Sequence, residues 1–141
     1  MVSSRTQSPS IRMTSEPIRI VQSVYDAFSR RDVPTVFALF APRIHILQSA
    51  QLPWGGSYHG HEGARGFFTK LTSHITTTVT VERMIHAEDH VAVIGWTEGT
   101  VNASGRAFKV PIAHIWRVED NLVIQVQFFI DNPTMVAALA P

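Results

Sequence analysis

The chain has no cysteine, few charged residues and no long apolar run, and each absence removes a class of protein. Without cysteine there can be no disulfide framework, no thiolate metal site and no cysteine nucleophile, a composition that suits a reducing compartment. Charged residues make up only 16% of the 141, and 12 Lys and Arg against 11 Asp and Glu leave a net charge of +1. That balance offers no basic stripe for nucleic acid. Apolar stretches such as Val91–Trp96 are far too short to span a bilayer, and the N-terminus lacks the apolar segment of a signal peptide. A cytoplasmic protein with no nucleic-acid or membrane partner is the expectation. Glycine-rich phosphate loops, nucleophile elbows and kinase-type motifs are missing as well.

What is present is apolar: 45% of the residues, enough for one core at this length and a surface prone to self-association. Residues 1–16 are rich in Ser and Thr without periodicity and read as a flexible tail; residues 17–141 read as a single domain. From Pro17 to Arg30, Val21, Val24, Tyr25 and Phe28 recur at helical spacing, with Ser15 placed as the N-cap. Asp32 caps a second helix, Val33–Phe40, ended by Pro42. Ile44–Gln48 alternates as a strand, and the turn-rich SAQLPWGGSYHGHEG reads as a loop. A third helix carries Ala64, Phe67, Phe68, Leu71 and Ile75 on one stripe. Four strands follow, Thr77–Ala87, His90–Ala103, Arg106–Val118 and Leu122–Ile130, joined by links short enough to force antiparallel hairpins. Asn132-Pro133 then opens a short C-terminal helix. The order predicts an α+β fold: a cone-shaped, curved antiparallel sheet packed against N-terminal helices, with room for a cavity.

Four segments in this order, VYDAFSRRDVPTVFALFAPRIHI, PWGGSYHGHEGARGFF, HVAVIGWTEG and HIWRVEDNLVIQVQFFID, resemble the SnoaL-like polyketide cyclases of the nuclear transport factor 2-like superfamily, which includes ketosteroid isomerase. Ketosteroid isomerases use a helix-one Tyr and an Asp as oxyanion donors and a second Asp as base. Carried over by spacing, these positions fall on Val24, His114 and Gln48, so that mechanism loses two of its three groups. The cyclases pair a last-strand Asp with a His on the strand before, positions that fall on Phe128 and His114. The resemblance therefore implies His114 as the acid/base group.

His114 shares a strand face with Ile112 and Trp116, so desolvation should hold its pKa below about 6.5 and keep the ring neutral. A neutral imidazole can donate and accept a proton; it can equally be a core histidine bonded to a carbonyl. Asp131, at the end of the last strand, is either a partner of His114 or a helix cap. Glu98 shares a face with Trp96, inside or out. Gln48 either bonds a substrate oxygen or satisfies a core polar group. Trp54, Tyr58 and His59, in the loop before the third helix, with Trp116 and Phe128, are expected to shape a substrate pocket. His59-x-His61 supplies too few ligands for a metal, and neither metal nor cofactor is expected. The reading is a cofactor-independent isomerase, cyclase or lyase acting on a small apolar carbonyl compound, with a non-catalytic ligand-binding or interaction module as the alternative. Phe129, placed on the sheet face opposite Phe128, would be covered in a homodimer.

Overall fold

The computed structural model describes residues 16–141; the Ser15 cap and residues 1–15 of the expected tail lie outside them, while Glu16, counted with the tail, opens the first helix. Three helices come before the long strands: α1 (Glu16–Ser29), α2 (Val33–Ala38) and α3 (Gly60–His74), with β1 (Phe40–Gln48) and β2 (Gly56–His59) between the last two. Then come β3 (Ile75–Ala87), β4 (His90–Val101), β5 (Ala107–Glu119), β6 (Leu122–Ile130) and α4 (Asn132–Leu139). The strands form one six-stranded sheet in the order β2-β1-β6-β5-β4-β3. All neighbours are antiparallel except β1 and β6, which run parallel, so the expected antiparallel sheet acquires one parallel seam. Among the described residues no helix is long and apolar enough to cross a membrane.

Local chemistry explains the joints. The end of α1 is a Schellman turn: Asp32 N–H reaches Ala27 O at 2.8 Å and Arg31 N–H reaches Phe28 O at 3.0 Å, with Arg31 at φ 59° where glycine is usual. The Asp32 carboxylate caps α2 by accepting from Thr35 N–H at 3.3 Å and the Thr35 hydroxyl at 2.6 Å. That helix stops at Ala38, two residues before the expected Phe40, because Phe40 begins β1; Pro42 lies within the strand. The segment read as a loop contains β2, a four-residue edge strand too short for its alternation to show among so many turn residues. Asp120 and Asn121, both at positive φ, close the two-residue β5–β6 turn.

Curvature makes an inside. An added Cβ on Gly95 would lie 2.0 Å from the Thr80 carbonyl oxygen, so β4 and β3 approach there more closely than any side chain permits. Near this point the β3–β4 register also shifts, between Val81 and Arg83. The concave face holds Ile44, Ile46, Val91, Val93, Val110 and Val126 against Val21, Val24 and Ala27 of α1 and Ala64 and Phe67 of α3.

Candidate active site

Between the concave face and α1 and α3 lies a cavity with about 670 Å³ of space unfilled by atoms, its mouth included. The wall is mostly aromatic and aliphatic, and no Asp, Glu, Lys or Arg lines it among the described residues. Five polar side chains reach it: Tyr25, Gln48, Thr77, Thr97 and His114.

Alternation along β5 turns His114 and Trp116 inward, as the sequence pattern implied, and α1 lays Tyr25 over both. The Tyr25 hydroxyl is 2.6 Å from His114 Nδ1 and accepts from Trp116 Nε1–H at 2.9 Å. His114 Nδ1 is the one acceptor that the described residues offer the Tyr25 hydroxyl proton, and with that proton used there the resting imidazole carries its own proton on Nε2. No protein group among the described residues is bonded to Nε2. Phe128 stands edge-on to the imidazole at 4.7 Å between centroids. Burial lowers the His114 pKa to about 3 and raises that of Tyr25 well above its ordinary value, so both groups are neutral at pH 7.

Gln48, Phe128 and His114 form one row across β1, β6 and β5. Gln48 Nε2 donates to the Phe128 carbonyl at 3.2 Å, which leaves Oε1 unpaired among the described residues. Trp54, Trp116 and Phe128 line the cavity.

Three sequence expectations need correction. Asp131 does not join His114: it is exposed, and its carboxylate caps α4 by accepting from Thr134 N–H at 3.2 Å. Sitting one residue past the last inward position of β6, it serves the orphan amides of the helix start. His59 points to the outer face, stacked on His45 at 4.2 Å, because β2 alternates and Tyr58 takes the inward direction. Tyr58 itself stops short of the cavity; its hydroxyl donates to the Trp54 and Gly55 carbonyls, and its ring packs edge-on against Phe67 behind the wall. His61 takes yet another direction, with Nε2 3.0 Å from the Phe40 carbonyl. Glu98 is on the outer face with Trp96.

Sequence reasoning missed Tyr25, placing the helix-one position on Val24 instead. Both line the cavity, but only Tyr25 brings a hydroxyl to His114. The available signal was a tyrosine within an otherwise wholly apolar helical stripe, since a buried tyrosine hydroxyl needs a partner.

Comparison with known proteins agrees with this architecture. The SnoaL-like domain profile matches residues 21–126. An NTF2-like protein of unknown function from Burkholderia pseudomallei superimposes with a TM-score of 0.85 at 26% identity, covering 90% of this chain and 99% of that one. A second NTF2-like protein, from Burkholderia thailandensis, gives 0.81 at 29% identity over 89% and 98%. IdmH of Streptomyces antibioticus, a proposed polyketide cyclase, gives 0.73 at 26% identity over 89% and 99%. No curated protein is significantly similar in sequence. With three quarters of its length matched and this sheet and cavity in place, the chain belongs to the SnoaL-like family, on the nuclear transport factor 2-like fold.

Proposed function

We propose that the cavity binds a small, largely apolar carbonyl compound whose oxygen accepts from His114 Nε2–H, and that the Tyr25–His114 pair assists proton transfer on that compound. One observation carries this reading: a neutral imidazole with an unpaired N–H facing an apolar cavity, its other nitrogen held by Tyr25. In such a site a donor aimed at a carbonyl oxygen stabilises developing enolate charge more than it does in water. Gln48 Oε1, across Phe128, is placed to accept from an enol or hydroxyl of the same ligand.

The same environment limits the chemistry. An imidazole whose conjugate acid has a pKa of about 3 is a weak base, and no carboxylate lines the wall to replace it. To accept a proton, His114 must adopt the other tautomer, with Nδ1–H donating to the Tyr25 oxygen and the Nε2 lone pair facing the ligand. The C–H proton then moves to Nε2 and returns to another atom of the same molecule, a net isomerisation or ring closure without a cofactor. Only substrates with already acidic C–H bonds, such as 1,3-dicarbonyls, suit so weak a base. A proposed polyketide cyclase among the structural relatives supports the same class. The weak base is also what favours the second reading, a non-catalytic binder of the same ligands. Assembly as a homodimer belongs to the proposal: Phe129 is 48% exposed on the outer face, and light scattering should show twice the 15.7 kDa chain mass rather than a monomer.

The test is quenching of tryptophan fluorescence by 2-acetylnaphthalene against 2-ethylnaphthalene. The ketone should bind about tenfold more tightly, one hydrogen bond's worth, and His114→Phe should abolish the difference. Equal affinities in the native protein contradict the carbonyl site. Exchange of the central protons of 1-phenylbutane-1,3-dione in deuterated buffer separates the readings: acceleration lost in His114→Phe supports catalysis, and no acceleration supports the binder.

A further inference from the structure

The cavity has a second polar end that the carbonyl site does not use. Thr77 and Thr97 are 8% and 7% exposed, and their hydroxyls touch one another within the lining. Thr97 stands opposite Val110 of β5, while His114 lies four residues further along that strand on the same inward face. At strand rise and spacing the two backbones are roughly 14 Å apart, and the side-chain tips less, since both point to the concave side. Ile112 and Ile130, paired across β5 and β6, occupy the inner wall between them.

Hydrogen-bond direction gives this end its character. The Thr77 hydroxyl reaches the Glu98 carbonyl at 3.1 Å, and the Thr97 hydroxyl has Thr77 Oγ1 and, at 3.5 Å, the Thr78 carbonyl as acceptors. Every such arrangement spends both hydroxyl protons inside the sheet, and no N–H or other hydroxyl among the described residues donates to either oxygen. The pair therefore presents lone pairs to the cavity, whereas the His114 end presents an N–H. Valine would fill the same strand positions without burying an oxygen, so the hydroxyls add polarity that packing does not require.

We infer that Thr97, backed by Thr77, is an acceptor subsite for a ligand hydroxyl, and that the ligand is an elongated hydroxy ketone. Its carbonyl lies at His114 and its hydroxyl at the opposite end of an apolar body. This deepens, and rests on, the carbonyl reading of the same cavity. A ligand with the reverse pattern, or with a hydrocarbon terminus at the Thr97 end, leaves those lone pairs buried and unanswered, which costs affinity.

The experiment is calorimetric titration of the full chain with 1-(6-hydroxynaphthalen-2-yl)ethanone, its deoxy analogue 2-acetylnaphthalene, and 2-ethylnaphthalene. The hydroxy ketone should bind the native protein about tenfold more tightly than the deoxy ketone. Thr97→Val, nearly equal in shape, should erase that preference, with the deoxy ketone gaining affinity because the Thr97 lone pairs it leaves unanswered are gone, and Thr97→Ser should keep it. Thermal melting within a few degrees of the native protein establishes that both variants fold. A hydroxyl preference that survives Thr97→Val overturns the subsite and moves the acceptor elsewhere, with Gln48 Oε1 the next candidate. The absence of any preference in the native protein also overturns it. Failure of the carbonyl reading shows separately, as equal binding of 2-acetylnaphthalene and 2-ethylnaphthalene, and failure of all three to bind removes both.

Discussion

The two faces of the sheet each carry a histidine held by neighbouring side chains, and the two have opposite characters. Inside, His114 is buried with Tyr25 on Nδ1 and Phe128 against its edge, so it stays uncharged and keeps one N–H for a ligand. Outside, His45 stacks on His59, with Ser57 Oγ 2.7 Å from His45 Nε2 and 3.3 Å from His59 Nε2, open to water. His45 is also held below its usual pKa, by partial burial first and by His59 second, but the cavity wall does not extend to this pair. Ring chemistry is common to both faces; desolvation by a curved wall belongs to one.

The most severe way to break the contrast is to remove the curvature. In Gly95→Val the new Cβ collides with the Thr80 carbonyl and cannot be moved aside without separating β3 from β4. A loss of about 3 kcal/mol or more is expected, read as failure to give soluble protein or as an early urea midpoint. Next is Tyr25→Phe, which leaves the buried Trp116 N–H without an acceptor and His114 Nδ1 without a donor. It should lower the melting temperature by roughly 5–10 °C, at about 1–3 kcal/mol for a buried group left unpaired.

Sign and window follow from His114 for acid unfolding. Its folded pKa is about 3 against about 6.5 unfolded, so below pH 6.5 the unfolded chain binds the proton first. Stability is fully present above that pH and is lost as the pH falls towards 3, by up to about 1.4 kcal/mol per unit. Between pH 7 and pH 5 the native protein should therefore lose about 2 kcal/mol that His114→Phe does not, measured as urea midpoints. The smallest effect belongs to the outer pair: His45→Gln and His59→Gln should change stability by less than about 0.5 kcal/mol and leave ketone binding unaltered.

How much of this the sequence discloses depends on whether a residue lies in a segment with a clear period. β4, β5 and β6 alternate over many residues, so the inward direction of His114, Trp116 and Phe128 and the outward direction of Phe129 are legible before any coordinates. β2 has four residues amid turn formers, and its facing is not legible, so the sequence alone reads both Tyr58 and His59 as shaping the pocket. The parallel seam joins Gln48 to Phe128, 80 residues away, and no local pattern encodes such a pairing. Tyr25 hides for a similar reason: it fits an apolar helical stripe, and the groups that give its hydroxyl a purpose are 89 and 91 residues distant. Asp131 was ambiguous because the end of a strand and the cap of a helix are the same position there.

The central claim is that one face of the sheet turns a histidine into a neutral, cavity-facing donor. Nitrogen-15 NMR of histidine-labelled protein, titrated from pH 8 to pH 5, measures this directly, with His114→Phe assigning the signal. The account predicts that His114 keeps the shifts of a neutral ring with its proton on Nε2 across the whole range. A His114 signal that moves to the imidazolium position above pH 5, or that reports the proton on Nδ1 throughout, would contradict it.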